Sequence, residues 1–251
     1  MIKNSLKNHS CSLSVLIRQD GLSFLTKLAD GSLETSDAPF SINSPSHVLT
    51  VLQEFVDQLL ITYQIDAVRL IYHNDIFTAV PESIYDEGYN AHYLKYNSRI
   101  LSTDAMSTDQ AAYDCNIVYV AFSNVNNYLY DKFGGFDYYH LASKILAFKE
   151  DSTPTDMASG LIVMIDQSFY LCLSTSTQLL ALNLFHAQSK DDVLYYTLFL
   201  LEQNDIDPSF FTIEVLDRDK DSGVCELLSK YIRRVNTINK PTESLNQILC
   251  A

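Results

Sequence analysis

The chain has 251 residues, 47% of them apolar and 19% charged, so it can bury a large core and does not read as a disordered or coiled-coil protein. Its formal net charge of −14 sets it against phosphate backbones and anionic surfaces, which argues against a nucleic-acid partner. Five widely spaced cysteines, none in a C-x-x-C pair, argue against a disulfide framework or a zinc site. No segment reads as a secretory leader or a bilayer span, so the cytoplasm is the expected compartment.

A polar lead of about ten residues precedes three alternating segments. Leu13, Val15 and Ile17 share one face of the first, and Asp20-Gly21 supplies a turn. Leu22 to Leu28 forms the second strand, Asp30-Gly31-Ser32 the next turn, and Leu33 to Phe40 the third strand. Ser44-Pro45 opens a helix whose apolar face runs from Val48 to Leu60. Asp66 to Tyr72 is the fourth strand.

A different unit follows. Phe77 to Val80 reads as a short strand, and Pro81-Glu82-Ser83 opens a helix carrying Tyr85, Tyr89, Tyr93 and Tyr96. The polar stretch 97–110 reads as a loop, Cys115 to Phe122 as a strong strand, and Ser123 as the cap of a helix through Phe133 that Gly134-Gly135 stops. Tyr138-Tyr139-His140 reads as a strand and Leu141 to Lys149 as a helix. Residues 150–159 are the best linker candidate.

The first order of elements then returns. Strands are expected over Gly160–Ile165, Phe169–Leu173 and Gln178–Phe185, a helix capped by Asp191 or Asp192, and a strand over Phe210–Leu216. Sliding one copy onto the other pairs Ile17 with Ile165 and Gln19 with Gln167. Asp221 or Ser222 is expected to cap a helix from Val224, with Lys230 to Arg234 as its basic last turn. Residues 237–251 read as a tail, either a short amphipathic docking segment or a disordered end.

A duplicated meander–helix–strand unit with a small insert resembles the actin-like ATPase superfamily. The insert is similar to that of its bacterial branch, the pilus-assembly and cell-division actin-like proteins. More closely, the chain resembles an uncharacterised bacterial family with an actin-like ATPase fold. The residues carrying this are Asp20 to Phe24, Phe77 to Pro81 with Ile84 to Glu87, Tyr93 to Asn97, and Phe133-Gly134 with His140. The resemblance implies an α/β, duplicated ribonuclease-H-like (actin-like ATPase) fold in two domains with a small α/β insert in the first. Its boundaries would be 11–157, with the insert near 77–135, and 158–236.

The resemblance also implies a crevice in which one hairpin turn from each copy grips a nucleotide's phosphates. Such turns need glycine for close backbone approach, and a strand-end carboxylate to hold Mg²⁺ through water. The candidate cleft residues are Asp20, Gly21, Ser23, Asp166, Gln167, Ser168, Ser222 and Gly223. Arg18, not an aspartate, follows Ile17, and the Asp166-Gln167-Ser168 turn has no glycine. Each copy thus keeps part of the apparatus. The expectation is a degenerate, non-catalytic scaffold that meets a protein partner through its insert or crevice, with no cofactor. One alternative is a divergent switch closing over ATP and Mg²⁺. Another is a ribonuclease-H-type metal hydrolase using Asp20, Asp166 and Asp217.

Two further patterns are weak. Asp217, Asp219 and Asp221 alternate as in a calcium loop, but Ser222 stands where glycine is needed and Leu228 where glutamate is. The six histidines show no helical metal spacing.

Overall fold

The computed structural model describes residues 10–18, 20–39, 46–152, 157–217, 222–239 and 241–250. Two five-stranded sheets and one three-stranded sheet make the frame. In the first sheet β1 (Ser10–Ile17), β2 (Gly21–Leu28) and β3 (Leu33–Pro39) form the antiparallel meander. Helix α1 (Ser46–Thr62) crosses to β4 (Gln64–Tyr72), parallel to β1. Helix α3 (Ser123–Phe133) leads to β8 (Asp137–His140), parallel to β4. The order is β3-β2-β1-β4-β8.

The second sheet repeats this plan. It has β9 (Ser159–Ile165), β10 (Ser168–Ser174), β11 (Leu179–His186), α5 (Lys190–Gln203), β12 (Thr212–Leu216), α6 (Val224–Leu228) and β13 (Arg234–Thr237), in the order β11-β10-β9-β12-β13. Each copy therefore holds five strands: β8 falls on the strand expected at Tyr138 to His140, whereas β13 has no counterpart in the sequence pattern. Arg234 opens β13 instead of closing a helix, because α6 is only five residues long and the chain turns at buried Ile232.

The insert carries β5 (Phe77–Pro81), α2 (Asn90–Asn97), β6 (Ala105–Ala111) and β7 (Cys115–Ala121), with β7 central. Here the polar stretch after Asn97 is not all loop. Its second half pairs with fully buried β7, whose backbone offers a ladder that outweighs weak strand propensity. Asp109 fastens β6 to the first domain. Its buried carboxylate accepts from Tyr119 Oη (3.0 Å), the His140 amide (2.7 Å) and Ser143 Oγ (2.6 Å).

Four helix starts differ from the sequence reading. The helix expected from Pro81 begins only at Asn90, after two short 3₁₀ turns at Glu82–Ile84 and Glu87–Tyr89 that leave Tyr85 outside it, and Ser123 is the first residue of α3 instead of a side-chain cap. Ser189, not an aspartate, caps α5; Asp192 completes a capping box by reaching back to the Ser189 amide. Gly223 occupies the cap position of α6 at φ 69°, a left-handed conformation that glycine adopts freely. The expected Ser44 cap and Gln19 lie outside the described residues.

One core spans both sheets. Leu13, Val15 and Ile17 of β1 share it with Leu161, Val163 and Ile165 of β9. Helix α4 (Leu141–Ser152) and helix α7 (Pro241–Cys250) lie against each other, with α7 also touching β1 and β12. The expected tail is thus a packed helix over most of its length: Leu245, Ile248 and Leu249 are buried in the shared core. Their spacing puts all three on one face.

Candidate functional site

Strand ends β1 and β9 bring the two hairpin turns together. Arg18 leaves β1 directly after Ile17, and Asp166 leaves β9 directly after Ile165. Arg18 Nη1 meets Asp166 Oδ1 at 3.1 Å, so equivalent positions of the two copies form an ion pair across the crevice. The guanidinium also faces Asp37 (3.8 Å) and Asp20 (3.6 Å). Its side chain is 14% exposed, so these carboxylates surround a largely desolvated cation. Asp166 has φ 53°, a strained region that aspartate tolerates better than most residues.

The ion pair divides the crevice. On one side lies a cavity of about 450 Å³ lined by Ser23, Asp37, Asp217, Ser222 and the α7 side chains Leu245 and Leu249. On the other lies one of about 260 Å³ lined by Asp20, His73, Gln167, Ser168 and His186. Arg18 and Asp166 border both.

Gly21 makes this crowding possible. A Cβ there would sit 2.8 Å from the Ala38 carbonyl oxygen and 3.2 Å from Arg18 Nη2. The glycine thus admits β3 and the guanidinium. Gly21→Ala is expected to cost about 1–3 kcal/mol by forcing β3 away, read as a lower urea midpoint; an unchanged midpoint would refute the account of Gly21.

A second link crosses lower down. His73, just past β4, is buried, and its Nδ1 lies 2.9 Å from Tyr170 Oη. Its Nε2 lies 3.3 Å from Ser168 Oγ, which bonds the Ile165 carbonyl at 2.9 Å. Desolvation lowers His73 to about 4, with the Arg18 charge adding to it. The ring is therefore neutral at pH 7. One arrangement then satisfies every group: Tyr170 donates to Nδ1, Nε2–H donates to Ser168, and Ser168 donates to Ile165. This turns the Ser168 proton away from the imidazole, the reverse of what an activated serine nucleophile needs.

Ser222 Oγ donates to Asp217 Oδ2 at 2.6 Å and lies 3.4 Å from the Val224 amide. Gly223 instead lies beside Lys190, and neither cavity includes it. Among the described residues no three His, Cys, Asp or Glu side chains form a metal-holding group, so Asp20, Asp166 and Asp217 do not converge as a hydrolase would require. Asp219 and Asp221 lie outside the described residues. In the sequence Arg18 stands only as a departure from the expected aspartate, His73 is one of six histidines without metal spacing, and no local pattern sets Tyr170 apart. The repeat offset held the signal for Arg18, since it sets opposite charges at matching positions.

Two matched five-stranded sheets, a strand-end crevice between them and an insert in the first half define an actin-like ATPase fold. A Bacteroides thetaiotaomicron protein described as having an actin-like ATPase fold and unknown function is similar over 100% of this chain and 99% of its own, at 14% identity and TM-score 0.77. PilM of a PilM–PilN type IV pilus biogenesis complex is similar over 93% of this chain and 89% of that one, at 13% identity and TM-score 0.58. At these identities the likeness concerns the fold alone. The chain belongs to the family described as protein of unknown function DUF3822, whose pattern it matches over residues 3–235. No curated protein matches the sequence. Among the described residues no helix is long and apolar enough to cross a membrane.

Proposed function

We propose that this protein is a degenerate actin-like scaffold that binds a protein partner and does not work by hydrolysing a nucleotide. The observation that carries this reading is the Arg18–Asp166 ion pair between equivalent strand ends. A nucleotide site of this fold needs a free carboxylate there to hold hydrated Mg²⁺. Arg18 replaces one such group, and the other is engaged by Arg18.

The guanidinium is itself a poor phosphate ligand here. Asp20, Asp37 and Asp166 all lie within 4 Å of it, so the local charge is negative and repels a triphosphate. The residues present therefore do not fit Mg·ATP. The shared core also opposes a hinge, because parting the halves would expose Val15, Val163 and Leu249 to water. A protein partner suits a fold whose relative PilM is found in a complex with PilN.

Thermal unfolding with and without millimolar Mg·ATP tests the reading. The expected result is no shift in Tm with any nucleotide. Binding at a hundredfold excess over Kd would add about 2.7 kcal/mol, and a rise on that scale would overturn the scaffold in favour of an ATP-dependent switch.

A further inference from the structure

The third strand of each meander lies at the edge of its sheet. The two copies treat this edge in opposite ways. Strand β3 reads LETSDAP, with two carboxylates and a terminal proline. These are the guards that keep an exposed edge from pairing with another chain. Strand β11 reads LLALNLFH, with no acidic or basic side chain before its final histidine and no proline. An unguarded apolar edge of this length invites strand addition.

A groove of about 920 Å³ runs beside β11, and every residue from Thr177 to Leu184 lines that groove. The opposite wall is the insert, where β5 is also an edge strand and Tyr96 is 87% exposed. Ala187 donates its amide inward to Gln167 O. Alternation along an antiparallel strand then turns the amides of Leu184 and Leu182 outward, toward the groove. No described backbone group bonds to them.

The groove's charge selects among occupants. Asp75 and Asp114 are exposed on its lining, which holds no Lys or Arg. The chain as a whole carries −14, so a second copy would arrive with like charge.

Resting on the scaffold reading above, we propose that the partner contributes an extended, mainly apolar segment bearing Lys or Arg, which adds to β11 as a sixth strand inside this groove. Backbone bonds to β11 supply affinity, and the leucines select alternate apolar side chains.

A random-peptide display library panned against the full chain tests this, with amide hydrogen exchange locating the bound peptide. The expected result is enrichment of apolar peptides containing Lys or Arg, with slowed exchange at Leu182 and Leu184. Leu182→Pro removes one outward donor and should weaken such peptides about tenfold. Asn183→Lys, at an exposed position, should weaken them while leaving Tm unchanged. Failure to enrich any peptide, or binding that leaves both amides exchanging freely, overturns strand addition. Those outcomes leave the scaffold reading standing, which falls only to a Tm rise with Mg·ATP.

Discussion

Deleting residues 241–251 is expected to destabilise the protein by roughly 4.5–9 kcal/mol, taking about 1.5–3 kcal/mol for each of three buried apolar side chains. Those side chains are Leu245, Ile248 and Leu249, at 5%, 0% and 6% exposure in the core shared by both sheets. The loss is comparable to the whole stability of an ordinary domain, about 5–15 kcal/mol. The shortened chain should therefore be largely unfolded, or compact without fixed packing. Urea unfolding followed by circular dichroism measures this, and a midpoint equal to that of the full chain would refute the role given to α7. Ile248→Ala isolates one contact and should cost about 2–5 kcal/mol. The deletion also removes a wall of the 450 Å³ cavity. Its effect should thus spread to both halves and not remain at the C-terminus.

Acid should unfold the protein at a pH where its carboxylates are still mostly ionised. Two buried histidines drive this. Desolvation lowers His73 to about 4 and His140 to about 3, against 6.5 in the ordinary ring. Between those values the unfolded chain takes up protons that the folded chain refuses. Their stability contribution is complete above pH 6.5 and is lost as pH falls toward 4 and 3. Each histidine adds a slope of up to about 1.4 kcal/mol per pH unit, so the pair gives roughly 2.7. Asp109 acts in the opposite sense, because burial raises its carboxyl and the folded form gains a proton first. It offsets part of the loss. Urea midpoints from pH 7.5 to 4.5 should fall steeply, and His73→Gln should reduce that slope. A flat profile over this range would contradict the burial of both rings.

The histidines show what a sequence hides. His73 and His140 were indistinguishable by spacing from exposed His92. Only the meeting of β4 with β10, and of β8 with the insert, makes them buried and neutral. Tyr85 and Tyr93 tell the same story on the insert. They stand at helical spacing with Tyr89 and Tyr96, yet the first two stack on each other while the latter two are exposed.

Local physics was readable wherever one strand or helix buries a face. Alternation in β1, the Asp30-Gly31 turn, the apolar stripe of α1 and the buried run of β7 follow from side-chain period and turn chemistry alone. The duplication was readable because each copy must satisfy the same sheet topology. It stayed hidden that Arg18 and Asp166 touch, that residues 241–250 complete the core, and that β11 borders a groove while β3 does not. Those facts depend on residues far apart in the chain meeting at one place. A periodicity carries no information about which separate elements will share a dielectric, a charge or a wall.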